Sequence, residues 1–341
     1  MWDSAVIQSL LTGNQGGHAG NSPDRVQAAM VERFSKSHFY DPRNGEPAIG
    51  IQPVAMEARA FEPERTNCFR IYLIESGSGE FWADASQFEF TPSSLLFFVP
   101  YQHVRFEPRF PVQGKIIQFH ANFLCVETFH AEAGCSGILF NDPYGVPLVK
   151  LDDSSRTEMI RMMEQIQHEQ TMQALAYHEV MLANLKVLLI LATRLKSQWV
   201  AACHTTIDLR HPMLAELSEL IEQNYRTLHS PSDYADKLHV TAKSLGRIVR
   251  ERLGTTLSDL IRNRILIHAK WQLLHTLRPV KEIARELGFT DELYFSRLFK
   301  KATGVSPTFF REFETEIRNG SNLSMFSRQT PIQPVTVPSD T

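Results

Sequence analysis

The chain has 341 residues, 43% of them hydrophobic and 21% charged, an ordinary soluble balance with enough length for two cores. No run approaches 18 consecutive apolar residues, and the opening MWDSAVIQSLLTGNQGG has neither a basic start nor a sustained apolar stretch, so no membrane span and no signal peptide are expected. The net charge of −3 hides a division: residues 240–311 hold 14 Lys and Arg against 6 Asp and Glu, while the rest holds 21 against 32. A basic end of this kind either meets an anion or forms a solvated helical face.

Four cysteines (Cys68, Cys125, Cys135 and Cys203) make no dense disulfide framework, which suits a reduced, cytoplasmic chain. Residues 1–45 read as a flexible or partly helical segment, with a Gly-rich stretch at 12–23. Residues 46–150 read as a β domain. Between Cys68 and Phe119, short β-branched and aromatic runs are cut by SGSG, TPSS and PYQH, the pattern of consecutive antiparallel strands. Gly77 and Gly79 stand where a hairpin needs positive φ, and the even spacing suggests a small barrel or jelly roll.

The period then changes. Residues 151–205 read as two helices, the second carrying Leu175, Leu182, Leu185 and Leu189 on one stripe and Met181, Leu188, Leu191 and Leu195 on another. Two apolar stripes exceed what one core-facing side needs, so Leu182, Leu185, Leu188 and Leu189 are candidates for a dimer contact; the alternative is that both stripes are internal. Residues 211–318 read as helical, and 319–341 as a disordered tail.

Within the helical end one pattern occurs twice. SPSDYADKLHVTAKSLGRIVRERLG opens with Ser230 as cap and Pro231 at the first helical position, turns at His239–Val240, and restarts with Thr241 as cap. KEIARELGFTDELYFSRLFKKATG repeats it: Gly288 ends one helix, Thr290 is placed to cap the next, and Phe295, Leu298, Phe299 and Ala302 point inward. The outward residues are Lys243, Arg247 and Arg250 in the first unit, and Leu293, Tyr294, Arg297, Lys300 and Lys301 in the second. Each pair is a helix-turn-helix, whose second helix enters a DNA major groove N-terminus first. Leu257–His275 joins them as one predicted helix of 19 residues, about 28 Å at 1.5 Å per residue. Major-groove faces one turn apart on DNA lie about 34 Å from each other.

Here the sequence resembles the AraC/XylS family of bacterial transcription regulators. The resemblance covers roughly residues 215–311 and rests on IARELGF at 283–289, YFSRLFKKATG at 294–304, VSP at 305–307, RI at 264–265 and AK at 269–270. It implies a DNA-binding regulator, not an enzyme, with reading positions at Lys243, Gly246 and Arg247 and at Leu293, Tyr294 and Arg297. Thr241, Arg250, Thr290, Lys300 and Lys301 flank them on the same helices. Gly246 departs from the pattern, since it has no side chain to reach a base. The resemblance further implies an α+β protein: an N-terminal cupin-like sensor barrel, dimerisation helices, and an all-α domain of two helix-turn-helix units. Its partners would be double-stranded DNA with half-sites in adjacent grooves, a second copy of itself, a small-molecule effector and RNA polymerase.

Tyr72, Trp82, His103 and Arg105 are the candidates for an effector pocket inside the barrel, if strand alternation turns them inward. Arg105 and Arg109 could also grip a phosphate or carboxylate. A cupin enzyme fused to the DNA-binding domain is disfavoured, because the His-x-His pair of metal-binding cupins is missing and His103 alone cannot hold a metal. His120, Cys125, His130 and Cys135 recur every five residues. Their types suit zinc or a redox sensor using Cys125 and Cys135, but the spacing fits neither a C-x-x-C site nor one helical face, and buried apolar cysteine is the simpler reading. No cofactor and no resident metal are expected.

Overall fold

The β-branched and aromatic runs form six strands: β1 (Ile49–Met56), β2 (Phe69–Ala83), β3 (Ser86–Phe90), β4 (Ser94–Phe98), β5 (Val104–Phe119) and β6 (Leu148–Lys150). They make one antiparallel sheet in the order β1-β5-β2-β4-β6, with β3 on β2. This computed structural model describes residues 39–125, 129, 137–140, 142, 144–205 and 212–318, with the side chains of 201–205 excepted. The Gly-rich stretch, the 319–341 tail, His130, Cys135 and the Cys203 side chain lie outside the described residues.

The closed barrel expected from strand spacing is not formed among the described residues, where β1 pairs only with β5 and β6 only with β4. The sheet instead curves around its longest pair, β2 and β5. The hairpin expected at Gly77 and Gly79 is also absent. Both lie inside β2, where the register against β5 slips between Ile74 and Gly79. Gly77 has φ 85°, and a Cβ there would stand 2.3 Å from the Pro111 carbonyl oxygen, so glycine is needed for a bulge and not for a turn.

That bulge changes which face each side chain takes. Before it, Ile71 and Leu73 join the core beneath the helices, while Tyr72 and Ile74 join the opposite core. After it, Phe81 and Ala83 share the core of Tyr72, so odd positions have taken the side that even ones held. This second core is filled by rings: Phe81 lies 5.6 Å from Phe98, and Phe98 5.9 Å from Phe106.

The first core is closed by α1 (Asp153–Met172) and α2 (Tyr177–Thr205). Asp152 caps α1 by accepting from the Ser155 amide. The dimer assignment on α2 needs correction. Leu185, Leu188 and Leu189 are fully buried within the protomer, and Leu182 packs partly buried against the same cluster. Leu188 and Met181 of the second stripe are interior too, and Ile190, Leu191 and Leu195 pack partly buried against the same cluster, so the outward apolar residue in this stretch of α2 is Val187, half-exposed.

Seven further helices complete the described chain: α3 (Pro212–Asn224), α4 (Pro231–Lys237), α5 (Ala242–Leu253), α6 (Leu257–His275), α7 (Val280–Glu286), α8 (Glu292–Thr303) and α9 (Pro307–Ile317). Their shared core runs from Leu214 to Phe310 and takes in Tyr101 of the sheet region, with Phe39 and Tyr144 packed partly buried against it. The described residues, all from Phe39 onward, form one compact unit.

Candidate nucleic-acid interface

The two helix-turn-helix units are built by the same local devices. In the first, Leu238 follows α4, His239 takes φ 54°, and the Val240 amide donates back to the Ala235 carbonyl at 3.0 Å. In the second, Leu287 follows α7, Gly288 takes φ 82°, and the Phe289 amide donates to the Ala284 carbonyl at 2.9 Å. A left-handed residue is what ends a helix within one turn; glycine adopts it freely and histidine at some cost. Gly288 is also sterically required, since a Cβ would lie 2.3 Å from the Arg226 carbonyl oxygen.

Both reading helices are capped at the start and stopped by glycine. Thr241 accepts from the Ser244 amide at 3.2 Å, and Gly254 ends α5 at φ 63°. For α8 the expected cap, Thr290, is displaced by one position: Asp291 accepts from the Leu293 amide at 2.8 Å. A carboxylate at this place also answers the positive end of the helix dipole. Gly304 ends α8 at φ 87°.

The inward faces hold each reading helix rigid. Leu245 and Val249 anchor α5, and Phe295 and Phe299 anchor α8, all fully buried. The outward faces are wet. Thr241, Lys243, Arg247 and Arg250 are exposed in the first unit. In the second, Thr290, Lys300 and Lys301 are exposed, Leu293 is 71% and Tyr294 55% accessible, and the Arg297 side chain is 75% accessible with Asp291 at 3.7 Å. Large apolar groups left in water on a rigid basic helix suit contact with a partner, and thymine methyl groups are one such surface. Gly246 lies on the outward run of α5, and a Cβ there would meet nothing within 4 Å.

The connector α6 is the predicted 19-residue helix, capped by Thr256, which accepts from the Asp259 amide. On the first unit Thr241, Lys243, Ser244, Gly246, Arg247 and Arg250 join Thr256, Leu257 and Ser258 around a concave surface of about 720 Å³. Ser244, Thr256 and Ser258 had no place in the sequence reading, because they come together only when α6 folds back beside α5.

The effector candidates do not converge. Tyr72 is sealed in the ring-filled core, and burial pushes its hydroxyl pKa upward. Trp82 and Arg105 face each other across β2 and β5 on the outer surface, the guanidinium 5.2 Å from the indole ring. His103 lies 3.6 Å from Glu62, and Arg105 pairs with Glu62 and Glu107. Arg109 pairs with Glu80 and Glu89, so neither arginine offers a bare charge to an anion.

A cavity of about 1220 Å³ opens between the sheet region and α6 and α8. Phe69, Phe97, Leu139 and Phe140 give it apolar wall, and Lys196 lies among them. Burial lowers the Lys196 amine to about 8, the nearby Asp142 only partly opposing this, and Nζ donates to the Ile138 carbonyl at 2.5 Å.

Beside this cavity the sheet region and α9 share a buried polar junction. Tyr101 donates to Glu314 at 2.5 Å, His120 Nε2 lies 3.3 Å from the other carboxylate oxygen, and Arg318 approaches it at 3.2 Å. Burial alone would raise the Glu314 carboxyl; the His120 hydrogen bond, the Arg318 charge and the Tyr101 hydroxyl outweigh it, and the net shift is downward. His120 is thereby taken up in structure, its Nδ1 accepting from the Asn122 amide. Cys125 is not in a disulfide, and no group of metal-binding side chains is found among the described residues. Burial pushes the Cys68 thiol up to about 12, which leaves it unreactive.

Comparison with known proteins bears on the helical end most directly. The family described as a helix-turn-helix domain matches residues 234–312. The transcriptional activator RhaR of Cronobacter sakazakii is 25% identical over 279 residues, 78% of this chain and 93% of that one. The arabinose operon regulatory protein of Escherichia coli is 36% identical over 77 residues, 23% of this chain and 26% of that one. Among solved structures, the C-terminal domain of AraT, a response regulator from Geobacillus stearothermophilus, is 31% identical and covers 31% of this chain and 87% of that one, with a TM-score of 0.29. With its paired, basic helix-turn-helix units, the helical end at residues 234–312 is a DNA-binding domain of the AraC/XylS type, like those of the regulators it resembles.

Proposed function

We propose that the protein is a sequence-specific, effector-responsive regulator that acts as a homodimer on double-stranded DNA in the cytoplasm and performs no catalytic step. The observation that carries this reading is the repeated unit, α4–α5 and α7–α8, tied by one rigid helix. A connector of about 28 Å suits two reading helices serving successive turns of the major groove. Arg247 and Arg297 are the residues suited to bidentate contact with guanine, Lys243, Leu293 and Tyr294 to neighbouring base edges, and Thr241, Arg250, Lys300 and Lys301 to phosphates. Thr290, just outside α8, is left to a backbone contact.

For effector sensing, the cavity beside Lys196 suits a small molecule better than the sheet interior does, since aromatic rings fill the latter. A second copy would pack on the outward side of α2, where Val187 lies half-exposed. RNA polymerase is the natural further partner of a regulator whose relative is named an activator.

The test is selection of duplexes from a randomised library by the full chain, with affinities measured at two salt concentrations. Arg247→Ala is expected to cost about 1–3 kcal/mol and to relax base preference at one position. Binding should weaken steeply with salt, by a logarithmic slope of about −0.9 per phosphate neutralised. Selected duplexes no tighter than random ones, or an affinity indifferent to salt, would sink the reading.

A further inference from the structure

Lys196, on α2, has 1% of its surface accessible, yet it lines the cavity of about 1220 Å³ beside Phe69, Phe97, Leu139 and Phe140. An ammonium has three donors to satisfy. Among the described residues its hydrogen bond goes to the Ile138 carbonyl and no carboxylate forms an ion pair with it, Asp142 acting on it through its charge alone. A charge held so poorly gives up its proton readily, and burial brings the amine down to about 8. At pH 7.5 about a quarter of it is then neutral, against about one part in a thousand for a solvated lysine. Neutral, desolvated lysine is the form that attacks a carbonyl carbon.

A second lysine of the same cavity is differently placed. Lys270, on α6, donates to the Pro100 carbonyl at 3.2 Å; burial lowers its pKa, and the Asp84 charge opposes this. The four apolar side chains beside Lys196 set the rest of the ligand, an alkyl or aryl group. A carboxylic acid on the same amine would leave two charges in apolar surroundings, where an ion pair gains little over its desolvation cost. A carbonyl compound removes the charge instead, since an unprotonated imine carries none.

We propose that Lys196 is a covalent capture site, whose Nζ forms a reversible imine with a small apolar aldehyde or ketone entering the cavity. The inference rests on the reading of this cavity as the effector site, and it gives that effector a chemical class. The step balances without a further reagent. The Nζ lone pair makes the bond to the carbonyl carbon, both amine hydrogens pass to the carbonyl oxygen, and this oxygen leaves as water. Water returning to the imine reverses the step, so occupancy follows the concentration of free carbonyl compound.

Octanal is the probe, and 1-octanol, of the same length but unable to form an imine, is its control. The full chain is incubated with limiting octanal between pH 6.5 and 10, and sodium borohydride fixes the imine. Peptide mass spectrometry then follows each lysine as a gain of the aldehyde's mass less one oxygen. At pH 7.5 Lys196 is expected to be labelled about tenfold faster than Lys270 or the exposed Lys150, with a rise centred near pH 8. Lys196→Arg should lose this adduct and no other. Labelling of Lys196 no faster than that of Lys150 overturns the proposal. Calorimetric titration with 1-octanol separates the two readings. Heat of binding with Lys196 unlabelled keeps the cavity as an effector site and removes the covalent step, whereas neither binding nor labelling removes both. The parent chain carries the test, so a variant that fails to fold leaves the outcome standing.

Discussion

Lys196 carries an amine in among apolar side chains, with almost no access to water. Its pKa of about 8 lies below the ordinary 10.5, so between those values the folded chain binds fewer protons than the unfolded one, and stability rises with pH across that window. Below it the amine is charged in both states and its burial costs about 3 kcal/mol. Lys196→Met is therefore expected to stabilise the chain by about 2 kcal/mol at pH 7, after allowing about 1 kcal/mol for the lost bond to Ile138. The gain should fade as pH rises from 8 towards 10.5. Thermal melts across pH 6–10 measure it, and a gain that does not shrink at the alkaline end would mean that the amine is not desolvated. A charge kept at such a cost beside an apolar wall is suited to a ligand that neutralises it.

At the scale of the element, α2 separates residues that fold the protomer from those that could join two. Leu188→Glu puts a charge into a site with no accessible surface and should cost more than about 4 kcal/mol, unfolding the sheet region without yielding clean monomers. Val187→Glu, on the wet side, should leave the fold intact, and sedimentation would then show dissociation if this side carries the dimer contact. A folded Val187→Glu variant that sediments as a dimer removes α2 from the interface. Helix stripes were legible in the sequence, but how many of them the protomer buries depends on the sheet beneath. The β-strand alternation failed for a comparable reason: the bulge between Ile74 and Gly79 flips the parity of β2, and glycines there resemble those of a turn. Where signals were local they held. Ser230–Pro231, Thr241, Gly254, Gly288 and Gly304 bound their helices as read, and Asp291 displaced Thr290 because a carboxylate one residue on reaches the same amides.

For the whole molecule, the contacts that join the sheet to α9 span long distances along the chain. Tyr101 and Glu314 are 213 residues apart and His120 and Glu314 are 194 apart, separations that leave no periodic trace. The repeat of the DNA-reading unit was visible because each copy carries its own turn and caps; the cavity and the junction between the sheet and α9 were not, because each is half-made by either side. Gly246 then has a consequence for how such a regulator diverges. Open space surrounds it on α5, so almost any side chain enters without disturbing the core. Replacing glycine inside a helix also gains about 0.5–1 kcal/mol. A single codon change can thus write a new base preference at no expense in folding. Gly246→Asn or Gly246→Arg should raise or preserve the melting temperature while shifting the selected duplexes at one position, towards adenine or guanine respectively. A shifted preference would mark this position as the one from which a copy of the gene, freed by duplication, acquires new targets.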